Sequence, residues 1–308
     1  MKHLLGLKDV PAEEIKGILD EAFRMKNDIL KGTKKDNCLS GKSIITLFYE
    51  NSTRTRLSFE LASKYLGATA ANIAASSSSV AKGETLIDTV KTIDAMAADI
   101  IVMRHSSSGA PHLAAQYTKA SIVNAGDGMN EHPTQALLDM MTMIENKGDL
   151  KGLRVAIIGD VKHSRVARSD VYRLKTMGAD VVLGGPTTLM PAEVEKLGVK
   201  AYTNVDKAIE GADVVMGLRI QLERQKKGLF PTVREYHKFF GVDEKRMALA
   251  APDAIVMHPG PVNRGVELSA NVIDKENSVI CDQVTNGVCV RMAVLNMLAN
   301  GDDARRGL

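Results

Sequence analysis

Ser43-Ile44-Ile45-Thr46-Leu47-Phe48-Tyr49-Glu50-Asn51-Ser52-Thr53-Arg54-Thr55-Arg56-Leu57-Ser58-Phe59-Glu60 runs from a short apolar stretch, through a polar turn, into a segment with helical apolar spacing. The order is that of a buried strand, a turn and the first turn of a helix. The opening amides of a helix lack intrahelical acceptors and lie at the positive end of its dipole. A helix start carrying Ser52, Thr53, Arg54, Thr55 and Arg56 therefore suits a phosphate group. Arg54 adds a fork that can grip two phosphate oxygens. The same residues admit a plainer reading, in which Ser52 is an N-cap and both arginines are solvated surface charges.

Outward from this stretch, the pattern repeats. Residues 11–31 place Ile15, Ile18, Leu19, Ala22, Phe23, Ile29 and Leu30 at three-to-four spacing, opened by Pro11 and closed by Gly32, which predicts an amphipathic helix. Helical spacing returns at residues 53–66, 85–97, 133–145 and 285–298, and strand-like runs at 99–103 and 121–124. The second half restarts with buried-type strands at 154–159, 180–184, 213–218 and 254–257. Strands alternating with helices predict an α/β chain of parallel sheets flanked by helices. The polar, glycine-rich stretch Asn146-Lys147-Gly148-Asp149-Leu150-Lys151-Gly152 marks a boundary. We expect one domain over residues 1–147 and a second over 148–285.

The totals exclude several function classes. The 308 residues are too many for one core of ordinary size, which favours two domains. Forty Lys and Arg against 37 Asp and Glu leave a net charge of +3, so charge argues for neither nucleic acid nor a membrane surface. Trp is absent and aromatics are 4% of the chain, which removes the usual platforms for stacking bases. Cys38, Cys281 and Cys289 have neither paired nor metal-type spacing, which fits reduced thiols in a cytoplasmic compartment and implies no metal. The N-terminus lacks a secretory apolar region, and no apolar run approaches the roughly 20 residues of a membrane span. The strand end Gly159-Asp160-Val161-Lys162 lacks the further glycines of a dinucleotide loop, which argues against a nicotinamide oxidoreductase.

Other residues have two readings each. Arg104 follows the apolar run 100–103, at the carboxyl end of a strand, where open α/β sheets bind ligands. His132 precedes Pro133 at a helix start and is either a cap or a polar group for a ligand; with Thr134 and Gln135 it offers donors and acceptors of a size for an amide. Arg165 either reads an anion or belongs to a solvated basic face with Lys162, His163 and Arg168. Arg219 ends the strand 214–218, with Gln221 just after it. The run Ser76 to Ser79, followed by Lys82, has the composition of a plain solvated loop.

Set in order, Ser52-Thr53-Arg54-Thr55-Arg56, Lys82-Gly83-Glu84-Thr85, Met103-Arg104-His105, His132-Pro133-Thr134-Gln135, Arg219-Ile220-Gln221 and His258-Pro259-Gly260-Pro261 resemble the motifs of the aspartate/ornithine carbamoyltransferase family. The resemblance spans essentially the whole chain. It implies that Ser52, Thr53, Arg54 and Ser78 bind the phosphate of carbamoyl phosphate, with Lys82 delivered from a neighbouring subunit. It implies that Thr55, Arg104 and His132 meet the carbonyl oxygen, and that Gln135 reads the amide. In the second domain it assigns the α-carboxylate of L-aspartate to Arg165 and the side-chain carboxylate to Arg219, Gln221 and Lys82. Pro259 and Gly260 would hold amino groups through their carbonyls.

The same resemblance implies a C-terminal helix, about residues 286–308, returning to the first domain, a homotrimer with shared active sites, and a possible regulatory partner chain. It implies no cofactor, and a role in pyrimidine biosynthesis. Gly260, and Val262-Asn263 standing between Pro261 and Arg264, depart from the Leu and directly following Arg common in aspartate enzymes of the family, which touches the loop's contacts. The ornithine branch would carry Ser-Met-Gly and His-Cys-Leu-Pro motifs where this chain has Arg219-Ile220-Gln221 and His258-Pro259-Gly260-Pro261. A two-domain protein that senses a phosphorylated metabolite without turning it over is the reading from another class.

Overall fold

The computed structural model describes residues 1–74, 83–220 and 232–306, with side chains up to residue 300. The chain forms two compact units, Met1–Leu138 with the stretch from Val284 onward, and Asp139–Gln283.

The first unit is built on four parallel strands, β1 (Ser43–Phe48), β2 (Thr69–Ala74), β3 (Ile100–His105) and β4 (Ser121–Asp127), in the order β2-β1-β3-β4. In β3, Ile100 to Met103 are buried, and all seven residues of β4 are. Continuous burial follows when helices cover both faces of a parallel sheet. Strand β2 was not foreseen: its Thr69-Ala70-Ala71-Asn72-Ile73-Ala74 is small and half-exposed, and it forms the sheet edge against β1 alone.

The helices here are α1 (Ala12–Leu30), α2 (Thr53–Tyr65), α3 (Leu86–Ala95), α4 (Ala110–Ala114) and the start of α5 (Pro133–Lys147). In α1, Ile15, Ile18, Leu19, Ala22 and Met25 are buried, whereas Leu30, counted in the apolar stripe, is 71% exposed at the last turn. The C-terminal helix, Ile280–Arg306, begins before residue 285. Its part beyond Val284 packs on the first unit, as the resemblance implies. Lys26 Nζ donates to Asn286 Oδ1 at 2.8 Å, Asn296 Nδ2 donates to Glu21 Oε1 at 3.0 Å, and the Arg291 guanidinium lies 5.1 Å from the Phe59 ring centre.

The second unit repeats the plan with β5 (Arg154–Ile158), β6 (Asp180–Gly184), β7 (Lys200–Tyr202), β8 (Val214–Gly217) and β9 (Ile255–Met257), all parallel, in the order β7-β6-β5-β8-β9. Ala156, Ile158, Val182, Val215 and Val256 form its core with Val205, Ala208 and Ile209. The helix α6 (Arg165–Thr176) follows β5.

Both sheets reverse direction at one place. After β2 the chain crosses β1 to build outward from β3, and after β7 it crosses β5 to build outward from β8. The crevice at the carboxyl ends of such a pair is where open α/β sheets receive ligands. The Ser52 turn and Arg104 flank the first, and Arg165 and Arg219 the second.

Candidate active site

At the first switch point, β1 delivers the turn and α2. Ser52 is the N-cap residue, but its hydroxyl makes no cap hydrogen bond, so the plain capping reading fails. Thr53 and Arg54 are exposed at the helix start and Thr55 is buried beneath them. The two arginines differ: Arg56 lies over the Phe48 ring, 5.4 Å from its centre, while Arg54 is the one presented on the outer surface of the first turn. The start of α2 thus places two hydroxyls and a cation at the positive end of the helix dipole, the composition an anion site needs.

Arg104 pairs with Phe48 in the β1–β3 register and is fixed from the turn after β1 and from β4. Its carbonyl accepts the Tyr49 amide at 2.9 Å, its Nη1 donates to the Ala125 carbonyl at 3.4 Å, and its Nε lies 3.4 Å from Glu50 Oε2. That last approach is a charge contact rather than an aligned hydrogen bond. Next to it, burial pushes the His105 imidazole below its ordinary range, against the opposing charges of Glu50 and Asp127, and its Nδ1 accepts the Ser107 amide at 2.9 Å.

At the end of β4, Asp127 organises the turn that carries His132. Its carboxylate accepts Asn124 Nδ2 at 2.8 Å, the Gly109 amide at 2.7 Å and the Glu131 amide at 3.1 Å. The His132 carbonyl accepts the Gln135 and Ala136 amides at 3.0 and 3.3 Å, so it is the main chain of His132 that starts α5. His132, Thr134 and Gln135 are buried. The sheet thus brings Ser52, Thr53, Arg54, Thr55, Arg104, His132 and Gln135 to the carboxyl edge of the first unit.

In the second unit, the Ser164 hydroxyl caps α6 by accepting the Ala167 amide at 3.1 Å, and Arg165 takes the first helical position. Arg165 is 4% exposed, which rules out the solvated basic face. Ahead of it, the buried Asp160 carboxylate accepts the His163 amide at 3.2 Å and holds His163 Nδ1 at 2.8 Å. Arg219 is half-buried directly after β8. After β9, the His258 amide donates to Gln283 Oε1 at 2.9 Å and the Gly260 amide to His258 Nδ1 at 2.8 Å. Gly260 has φ of +65°, a left-handed conformation that glycine adopts without strain.

Asn263, ahead of Arg264, has a structural role. Asn263 donates through its amide and its Nδ2 to Glu267, at 2.8 and 2.6 Å, and the same carboxylate accepts the Ile220 amide at 2.7 Å. Arg264 instead makes a two-pronged surface ion pair with Asp274. Arg165, Arg219, Pro259 and Gly260 share the carboxyl edge of this sheet. Ser78 and Lys82, and Gln221, lie outside the described residues. Among the described residues no group of three or more His, Cys, Asp or Glu is placed to hold a metal, and no helix is long and apolar enough to cross a membrane. The acidic residues that set the geometry, Glu50, Asp127, Glu131 and Glu267, were missed by sequence reasoning. None carries a motif of its own.

Comparison with known proteins bears on both halves. Residues 2–145 match the carbamoyl-phosphate-binding domain of aspartate/ornithine carbamoyltransferases, and residues 151–298 match that family's Asp/Orn-binding domain. The chain is 67% identical over 307 residues to the aspartate carbamoyltransferase catalytic subunit of Ruminiclostridium cellulolyticum, covering 100% of this chain and 96% of that one. It is also 67% identical to the catalytic subunit from Acetivibrio thermocellus, over 98% of this chain and 96% of the relative. Among solved structures, aspartate transcarbamoylase from Trypanosoma cruzi with carbamoyl aspartate and phosphate superposes with a TM-score of 0.87 at 32% identity, over 96% of this chain and 95% of that one. Ornithine carbamoyltransferase from Pyrococcus furiosus gives the same TM-score and identity, over 97% of each chain. On these matches, the chain belongs to the aspartate/ornithine carbamoyltransferase family.

Proposed function

We infer that this chain transfers the carbamoyl group of carbamoyl phosphate to the amine of L-aspartate, giving N-carbamoyl-L-aspartate and phosphate. The observation that carries the choice of acceptor is the 67% identity to aspartate carbamoyltransferase catalytic subunits. Likeness of fold alone does not choose, because an ornithine enzyme superposes equally well. The residues agree with the relatives: Arg165 and Arg219 suit two carboxylates and would repel the side-chain amine of ornithine.

The first domain, residues 1–147, takes carbamoyl phosphate. Ser52, Thr53, Arg54 and the α2 amides receive the phosphate, joined by Ser78 and by Lys82 of a neighbouring copy. Thr55, Arg104 and His132 donate to the carbonyl oxygen, and Gln135 reads the amide. The second domain, residues 148–285, takes L-aspartate through Arg165, Arg219, Gln221 and the carbonyls of Pro259 and Gly260. The aspartate nitrogen forms a bond to the carbonyl carbon, the carbon to phosphate-oxygen bond breaks, and the amine proton leaves with the phosphate. The residues supply orientation and stabilisation of the developing oxyanion, without a covalent intermediate.

The family resemblance supports further parts of the reading: a homotrimer in the cytoplasm that feeds pyrimidine biosynthesis, with carbamoyl phosphate bound first and a regulatory chain as a possible partner. Mass spectrometry of the product tests the reaction. A new species with the mass of N-carbamoyl-L-aspartate supports it; consumption of carbamoyl phosphate without that species overturns it.

A further inference from the structure

The residue before His132 reaches back to the beginning of the chain. Glu131 is 5% exposed; its Oε2 accepts the amide of Leu7, 124 residues away, at 2.8 Å, and its Oε1 lies 3.5 Å from the Lys8 amide. The segment it grips is laid along β4. The Leu4 amide donates to the Ile122 carbonyl and the Leu4 carbonyl accepts the Asn124 amide, both at 2.8 Å, and Asn124 Nδ2 donates to the Leu5 carbonyl at 2.8 Å. Leu4 and Leu7 are fully buried, so the segment is part of the core.

The turn is closed from its other side as well. The Glu131 amide donates to Asp127 Oδ1 at 3.1 Å, and the Glu131 carbonyl accepts the Asp127 amide at 3.2 Å. Gly6 shows how closely the parts fit: a Cβ there would lie 2.5 Å from Glu131 Oε1 and 3.0 Å from its Cδ, so any side chain at position 6 displaces the carboxylate. Burying a carboxylate is costly unless its acceptors are met, and here they are met by main-chain amides that cannot move without the segment.

We propose that Glu131 is a positioning residue for His132, and that residues 3–8, held by it, are part of the apparatus that aims the imidazole. This rests on the reading that His132 meets the carbonyl oxygen. Displacing a catalytic group by about 1 Å can cost up to about 10²-fold in rate. The turn carrying His132 is therefore a place where a remote main-chain latch controls turnover.

The test is steady-state kinetics of the full chain with carbamoyl phosphate and L-aspartate, on Glu131→Ala, Glu131→Gln, Gly6→Ala, His132→Ala and the double variant E131A/H132A, each checked for folding by circular dichroism. Expected is a kcat about 10- to 100-fold lower for E131A, with KM for L-aspartate nearly unchanged. In the H132A background E131A costs nothing more, because two residues acting through one group are not additive. E131Q, which keeps an acceptor for Leu7, recovers most of the loss. G6A, which keeps both side chains but displaces the Glu131 carboxylate, lowers kcat in the same direction.

A purely structural anchor gives other results: parental kcat in folded E131A and G6A, or an E131A loss of equal size with and without His132. Either overturns the proposal. Should E131A not fold, parental kcat in G6A is the overturning result. Near-parental turnover in H132A removes His132 from the mechanism, whereas a deficient H132A beside an unaffected E131A removes the latch alone.

Discussion

Glu267 Oε1 accepts the main-chain amide of Ile220 at 2.7 Å, and this one bond joins the segment after β8 to the loop after β9. Ile220 lies between Arg219 and Gln221, and the same carboxylate holds Asn263, so both segments assigned to the acceptor amino acid are fixed by one buried group. Burial pushes the Glu267 carboxyl above its ordinary range, while the amides of Ile220 and Asn263 pull it down. Glu267→Ala would leave the buried Ile220 amide unpaired, at about 1–3 kcal/mol, and release the half-buried Asn263. We predict a lower melting temperature and a raised KM for L-aspartate, with carbamoyl phosphate affinity unchanged. An unchanged KM for L-aspartate in folded protein contradicts this link.

The two arginines of α2 are predicted to separate. Arg54 sits exposed on the first turn and faces the phosphate in our reading, whereas Arg56 is stacked on Phe48. Arg54→Ala should lower turnover by about 10²- to 10³-fold, as for loss of a transition-state donor. Arg56→Ala should cost about 0.5–1 kcal/mol of stability, the size of an exposed cation–π contact, and leave turnover within a few fold. Parallel unfolding and rate measurements on the pair check this, and equal rate losses would contradict it.

Arg219 is predicted to act on the acceptor alone. A charge-assisted hydrogen bond contributes about 1.5–3 kcal/mol, so Arg219→Ala should raise KM for L-aspartate by about 10- to 100-fold. Binding of a carbamoyl phosphate analogue, measured by titration calorimetry without aspartate, should match the parent. A loss in that titration would move Arg219 out of acceptor recognition.

Asp170, on α6, gives a pH-dependent prediction. It is fully buried, neither carboxyl oxygen has a hydrogen-bond partner among the described residues, and burial together with nearby Asp139 holds its carboxyl well above the ordinary range. The folded protein therefore binds this proton more tightly than the unfolded chain. The associated stability is fully present below the unfolded value of about 3.9 and is lost as pH rises towards the raised folded value. Asp170→Asn removes that titration. Its melting temperature should fall less than the parent's as pH rises above about 4, the unfolded carboxyl value. Parallel pH profiles for the two proteins would contradict the assignment.

The sequence made the strands legible where apolar side chains run together. Strand β1 begins and ends at the residues its apolar run marks, Ser43 and Phe48. Strands β3 and β4 extend to His105 and Asp127, past the apolar runs, because main-chain pairing carries on through Arg104, His105, Asn124 and Asp127 whatever their side chains. Edge strand β2, with alanines and Asn72, has no hydrophobic signal to read. In the candidate site, cations and hydroxyls at strand ends could be read from position. Glu50, Asp127, Glu131 and Glu267 could not, since such a carboxylate is usually solvated and only the fold shows which amide or cation it meets.

The most direct test of the central claim is the rate of phosphate release from carbamoyl phosphate by the purified protein, with L-aspartate or L-ornithine as acceptor. Release should depend on L-aspartate and stay at background with L-ornithine. Release supported by L-ornithine would contradict the reading of Arg165 and Arg219, and silence with both acceptors in folded protein would contradict catalysis and favour a metabolite-binding role.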